Sequence, residues 1–128
     1  MSISVLDASA LMALLKREPG AAQTAAAVRR GAAMNTVNLS EVVAKLLESD
    51  LTPNIVRTML DELKIEWIAF DGELAHRAGQ LRLPTRPLGL SFADRACLAT
   101  AQARGLPVLT ADKAWADLTI GVTIELIR

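Results

Sequence analysis

The chain has 128 residues, enough for one domain built around one core. Fourteen basic and fourteen acidic residues cancel, which argues against gripping nucleic acid by bulk electrostatics but leaves room for a local basic rim. Aromatics are 3% with no Tyr, against a base-stacking platform; a single Cys97 and a single His76 exclude an internal disulfide, a multi-thiolate zinc site and a histidine-rich metal site.

Residues 3–6 form a short apolar run, the pattern of a buried strand, and Asp7 ends it. The same acid interrupts the apolar start, and no basic stretch precedes it, so no signal peptide is expected. No apolar run approaches the roughly 18–20 residues of a membrane span, and a cytoplasmic location is expected. Residues 9–17 read as a helix with Leu11, Leu14 and Leu15 on one face, broken by Pro19-Gly20. An Ala-rich helix follows over 21–30, stopped by Gly31, and 33–37 gives a second strand. Asn38 is placed as an N-cap with Glu41 three residues on, which predicts a helix over 41–49.

Pro53 suits the first turn of a helix reaching Leu63, and residues 65–70 read as a strand. Asp71 caps a helix to about Leu83, and 84–89 is expected to be a loop. Ser91 caps the next helix, with Asp94 three residues on and Gly105 as its stop after Arg104. Residues 107–110 read as a strand, 111–117 as a loop or short helical turn, and 122–127 as a last strand. Strands alternating with helices imply one domain over 1–128, with a largely parallel sheet covered on both faces. The 52% hydrophobic content is high for this size and leaves surplus for an oligomer interface.

In such a sheet, ligands bind beyond the carboxyl ends of the strands, where the strand order reverses. Asp7 and Asp112 each follow a short apolar strand, and Glu41 and Asp94 lie near helix starts that can face the same edge. Four carboxylates brought together repel one another unless cations neutralise them. Mg²⁺ or Mn²⁺, one ion or two, fits an all-oxygen set and serves phosphodiester hydrolysis. Each acid also has a purely local reading: Asp7 as an N-cap, Asp112 as a turn residue, Glu41 and Asp94 as capping-box acids.

Four stretches carry a resemblance: Val5-Leu6-Asp7-Ala8-Ser9-Ala10-Leu11, Asn38-Leu39-Ser40-Glu41-Val42, Leu90-Ser91-Phe92-Ala93-Asp94, and Pro107-Val108-Leu109-Thr110-Ala111-Asp112. In order and spacing the chain resembles the PIN-domain ribonucleases, and within them the VapC-like toxins of toxin–antitoxin pairs. The resemblance implies an α/β fold: a three-layer α/β/α sandwich with a central, mainly parallel sheet of about five strands. It makes Asp7, Glu41, Asp94 and Asp112 the metal-binding and catalytic acids of an Mg²⁺- or Mn²⁺-dependent endoribonuclease. It further implies an RNA substrate, a homodimer and a small antitoxin partner. Ser9 and Thr110 match places where the family often carries a hydroxyl beside the acids, and Asp117 is a fifth acid to consider. Arg86, Arg95 and Lys113 lie near the expected site edge and are candidates for holding phosphate.

Other readings stay open at this point. A housekeeping PIN nuclease without an antitoxin has the same pattern. A receiver-like binding module also gathers acids at strand ends, but usually carries adjacent acids after the first strand, where this chain has Asp7 alone. An inactive dimerising PIN fold would not need all four acids. His76, the one imidazole, lies on an amphipathic helix as a surface or semi-buried residue, and no phosphate-binding glycine loop is present.

Overall fold

The computed structural model describes residues 1–128. The apolar runs form five strands, β1 (Ser4–Leu6), β2 (Ala32–Asn35), β3 (Glu66–Ile68), β4 (Val108–Thr110) and β5 (Ile124–Leu126). They make one sheet in the order β3-β2-β1-β4-β5, with every neighbouring pair parallel. β1, β2 and β4 are wholly buried, as continuous apolar runs in a covered sheet should be, and the edge strands β3 and β5 are partly exposed. The helices are α1 (Ala8–Leu15), α2 (Ala21–Arg30), α3 (Thr36–Glu48), α4 (Pro53–Glu62), α5 (Gly72–Gln80), α6 (Arg82–Thr85) and α7 (Phe92–Arg104). Two 3-10 turns add Arg86–Leu88 and Lys113–Asp117.

The chain steps from β1 to β2 to β3 in one direction, then returns across β1 to β4 and β5. Parallel crossovers keep one hand, so reversing the step moves the connecting helices to the other face. Two cores result. One of 16 buried residues packs α1–α4 against Leu6, Ala32, Met34 and Leu109. The other, of 13, packs α5 and α7 against Val5, Ala33, Ile68 and Val108. Successive residues of one strand serve opposite layers, as the two-residue strand period requires. The two cores absorb much of the apolar content; the exposed large side chains, among them Ile55, Leu83 and Phe92, lie on different elements. No helix is long and apolar enough to cross a membrane.

Two expectations need correction. Asn38 is not the cap of α3. Strand β2 ends at Asn35, and Asn35 caps the helix itself, its side chain accepting a hydrogen bond from Val37 N at 2.8 Å. Thr36 and Val37 are therefore helical rather than strand, and Glu41 lies in the second turn of α3 instead of the first. Asparagine caps equally well at either position; the pairing of Asn35 with Ile68 on β3 extends the strand to that point. The stretch 84–89 is also not plain loop. Pro84 falls in the first turn of α6, where a missing N–H costs nothing, and Thr85 Oγ1 donates back to Leu81 O at 2.7 Å. The other elements fall where expected to within a few residues, and the 111–117 stretch is the short helical turn.

Candidate active site

Asp7 leaves β1 and Asp112 leaves β4, and these two strands are neighbours on either side of the reversal in strand order. Their carboxyl ends therefore open the crevice where a doubly wound sheet binds its ligands. Asp7 is 6% exposed and fully engaged. Its Oδ1 accepts from Ser9 Oγ at 2.7 Å and from Ala10 N at 2.8 Å, capping α1, while its Oδ2 accepts from Thr110 Oγ1 at 2.6 Å. The two hydroxyls reach further. Ser9 Oγ accepts from Ala111 N at 2.9 Å and Thr110 Oγ1 from Asp112 N at 3.0 Å. Ser9 and Thr110 thus lash the end of β1 to the end of β4 and hold Asp7 and Asp112 in one frame.

Burial pushes the Asp7 carboxyl above its usual range. The hydrogen bonds from Thr110, Ser9 and Ala10 oppose the shift, and the nearby charge of Asp94 adds to it. Beneath the site lies the buried Cys97, whose Sγ faces Leu6 O at 3.8 Å. Burial pushes this thiol well above its ordinary value, and Asp7, Asp94 and Glu41 all push it further. The charges of Asp7, Asp94 and Glu41, which stand on different elements, thus all bear on this thiol. Cys97 stays a neutral thiol there.

Asp94 closes a capping box: Ser91 N donates to its Oδ2 at 3.0 Å, and Asp94 N donates to Ser91 Oγ at 3.1 Å. Asp112 caps the 3-10 turn through Oδ1, which accepts from Ala114 N at 3.0 Å. The local and the functional readings of these acids thus coexist, because capping uses one oxygen and leaves the other. The half-buried side chain of Glu41 on α3 makes no hydrogen bond. The chain has two ion pairs, Arg104–Glu66 and Arg128–Glu18, and neither involves the four acids. The group is negative and uncompensated by the protein. As they stand, no three side chains are spaced to enclose one ion. The donors are nevertheless all carboxylate, with free oxygens on Glu41, Asp94 and Asp112. Such an open set fits a hydrated Mg²⁺ or Mn²⁺, which retains several waters, better than a closed protein cage.

The remaining candidates separate. Lys113 and Arg86 are exposed in the two 3-10 turns and unpaired. Arg95 is turned towards α5, where Nη1 donates to Ala78 O at 3.3 Å and Nε is buried without a partner. Asp117 ends its 3-10 turn exposed, and no hydrogen bond joins it to the other acids. His76 is exposed on α5. Asn35, which the sequence does not single out, and Asn38, which it marks only as a cap, stand out: both are buried and both are bonded to α7. Their three-residue spacing from each other and from Glu41 is the one signal that marks them in advance.

A family model for the PIN domain matches residues 4–120. No curated protein sequence matches. Among solved structures, a DNA-bound VapBC from Salmonella typhimurium aligns over 100% of both chains with a TM-score of 0.77 at 19% identity. VapBC2 from Rickettsia felis, bound to a promoter DNA fragment, aligns over 96% of this chain and 97% of that one, with a TM-score of 0.74 at 16% identity. A toxin–antitoxin complex from Klebsiella pneumoniae covers 94% and 95%, with a TM-score of 0.72 at 23% identity. These likenesses show a shared fold, and the family match takes in all four acids and nearly the whole sequence: the chain belongs to the PIN-domain family.

Proposed function

We propose that the protein is a divalent-metal-dependent endoribonuclease, the VapC-like toxin of a toxin–antitoxin pair. One observation carries the reading: the hydrogen bonds of Ser9 and Thr110 hold Asp7 at the crevice where the strand order reverses, and Glu41 and Asp94, whose charges bear on the same buried Cys97, form no ion pair with a basic side chain. Asp112 is tied into the same frame through Thr110. Asp7, Asp94, Glu41 and Asp112 would hold Mg²⁺ or Mn²⁺. A bound ion supplies Lewis-acid stabilisation of the negative charge that builds on the phosphate.

The protein's own part is positioning. Asp7 is fixed by three hydrogen bonds, so its geometry does not depend on the substrate. Glu41, with no partner, is free to accept the proton of an attacking water. Lys113, next to Asp112, and Arg86, both exposed and unpaired, would hold flanking phosphates of the RNA. A groove between α3 and α4, about 300 Å³ and lined by Leu39, Val43, Val56, Leu60 and Trp67, offers an apolar seat for an antitoxin segment. The structural likenesses to antitoxin-bound complexes support such a partner, and a homodimer fits the same family pattern.

Purified protein should cut RNA with Mg²⁺ or Mn²⁺ and stop with chelator. Asp7→Asn and Asp94→Asn should each lower the rate at least about a hundredfold. Full activity in both folded variants would remove these acids from the site. For the toxin reading, expression should arrest growth, and the product of the adjacent gene should relieve the arrest. A chain that cleaves RNA yet leaves growth unaffected would instead be a housekeeping nuclease.

A further inference from the structure

Asn35 and Asn38 are three residues apart at the start of α3 and so share one face of the helix. Each donates its side-chain amide to α7. Asn35 Nδ2 reaches Thr100 Oγ1 at 2.9 Å, and Asn38 Nδ2 reaches Ala93 O at 2.9 Å. Thr100 is itself anchored to its own helix, donating to Ala96 O at 2.8 Å. The contacts form two rungs between helices that belong to opposite layers of the sandwich. The next step along that face of α3 is Glu41, and the next residue after Ala93 on α7 is Asp94. The rungs thus lead to the two acids that must face each other for both to reach one ion.

Asn38 is an expensive residue for this place. It is 1% exposed, its Oδ1 has no partner within the protein, and an orphaned buried acceptor is destabilising. Ala93 O sits within α7, where the helix already provides it with a donor, so stability does not require the rung. A leucine of similar shape would remove the orphan and keep the packing. What leucine cannot do is fix the spacing of α3 against α7 at this level.

We propose that Asn38 is a positioning residue: its bond to Ala93 O sets the separation of Glu41 from Asp94 and so the affinity of the site for a divalent ion. The proposal rests on the reading of these acids as metal ligands. Residues that orient metal ligands from behind commonly change affinity 10- to 100-fold when lost.

The test is a calorimetric titration of Mn²⁺ into the wild-type chain, Asp94→Asn and Asn38→Leu, with thermal melts of all three in chelator. Wild type should bind Mn²⁺, and Asp94→Asn should bind it far more weakly. Asn38→Leu should bind about tenfold or more weakly than wild type while melting no lower in chelator. Affinity of Asn38→Leu within twofold of wild type overturns the positioning role, whatever its melting point. Wild type failing to bind Mn²⁺, or Asp94→Asn binding like wild type, removes the metal reading and this proposal with it. Should the leucine variant not fold, Asn38→Ala takes its place under the same criteria.

Discussion

Asp7 serves two masters. As a cap it completes α1, and as a buried acid it carries a charge that its surroundings disfavour. Its carboxyl lies above the unfolded value of 3.8 chiefly because of burial. The folded state therefore holds this proton more firmly than the unfolded chain does, and stability falls as pH rises from the unfolded pKa through the raised folded one. Asparagine is free of that penalty. Its oxygen can keep the bonds from Ser9 and Ala10, and its amide can donate to Thr110 Oγ1. Metal-free Asp7→Asn should accordingly melt higher than wild type at neutral pH, with the gap closing towards pH 4. Melts at both pH values in chelator decide it, and a variant that is less stable at neutral pH would show that the three hydrogen bonds outweigh the buried charge. Activity lost together with stability gained is the behaviour of a residue kept for function.

Element boundaries are set by tertiary contacts as much as by local preference. Gly20 shows this at the entry to α2. Its φ is +98°, and a Cβ there would lie 2.7 Å from the Ile127 side chain and 2.8 Å from Ile127 O. Gly20→Ala should cost about 1–3 kcal/mol, read as a lower urea midpoint with unchanged slope. The sequence marks Gly20 as a breaker, but not that Ile127, just past β5, closes over it, because the two residues are far apart in sequence. Asn35 and Asn38 teach the same lesson. Both are good caps with hydrophobic residues after them, and only the pairing of β2 with β3 and the approach of α7 decide that Asn35 caps while Asn38 turns inward. By contrast, Asp71, Ser91 and Gly105 act locally, and α5 and α7 start or stop where these residues predict. The same division runs through the site. Asp7, Asp94 and Asp112 were legible because each sits at an element end. The links that join them, Thr110 to Asp7 and Asn38 to Ala93, were not legible as contacts, because their partners are 103 and 55 residues apart in sequence.

At the scale of the molecule, zero net charge constrains how the proposed RNA substrate can be held. A protein that binds through bulk positive potential loses affinity steeply with salt, by a log–log slope of about −0.7 per phosphate contact for single strands. Of the three candidate phosphate contacts, Lys113 and Arg86 are exposed and unpaired, whereas Arg95 donates to Ala78 O. Binding of a short single-stranded RNA to the inactive Asp94→Asn chain should therefore show a slope near −1.4, two contacts at about 0.7 each. Lys113→Ala and Arg86→Ala should each flatten it by about 0.7, and Arg95→Ala should leave it unchanged. Fluorescence anisotropy between low and moderate salt at fixed metal concentration measures all four slopes. A much steeper slope in the parent would mean that further cations, such as Lys45 one helical turn from Glu41, line the RNA path. A flat one would mean that affinity comes almost wholly from the acids and their ion, with the crevice between β1 and β4 recognising a phosphate rather than a strand.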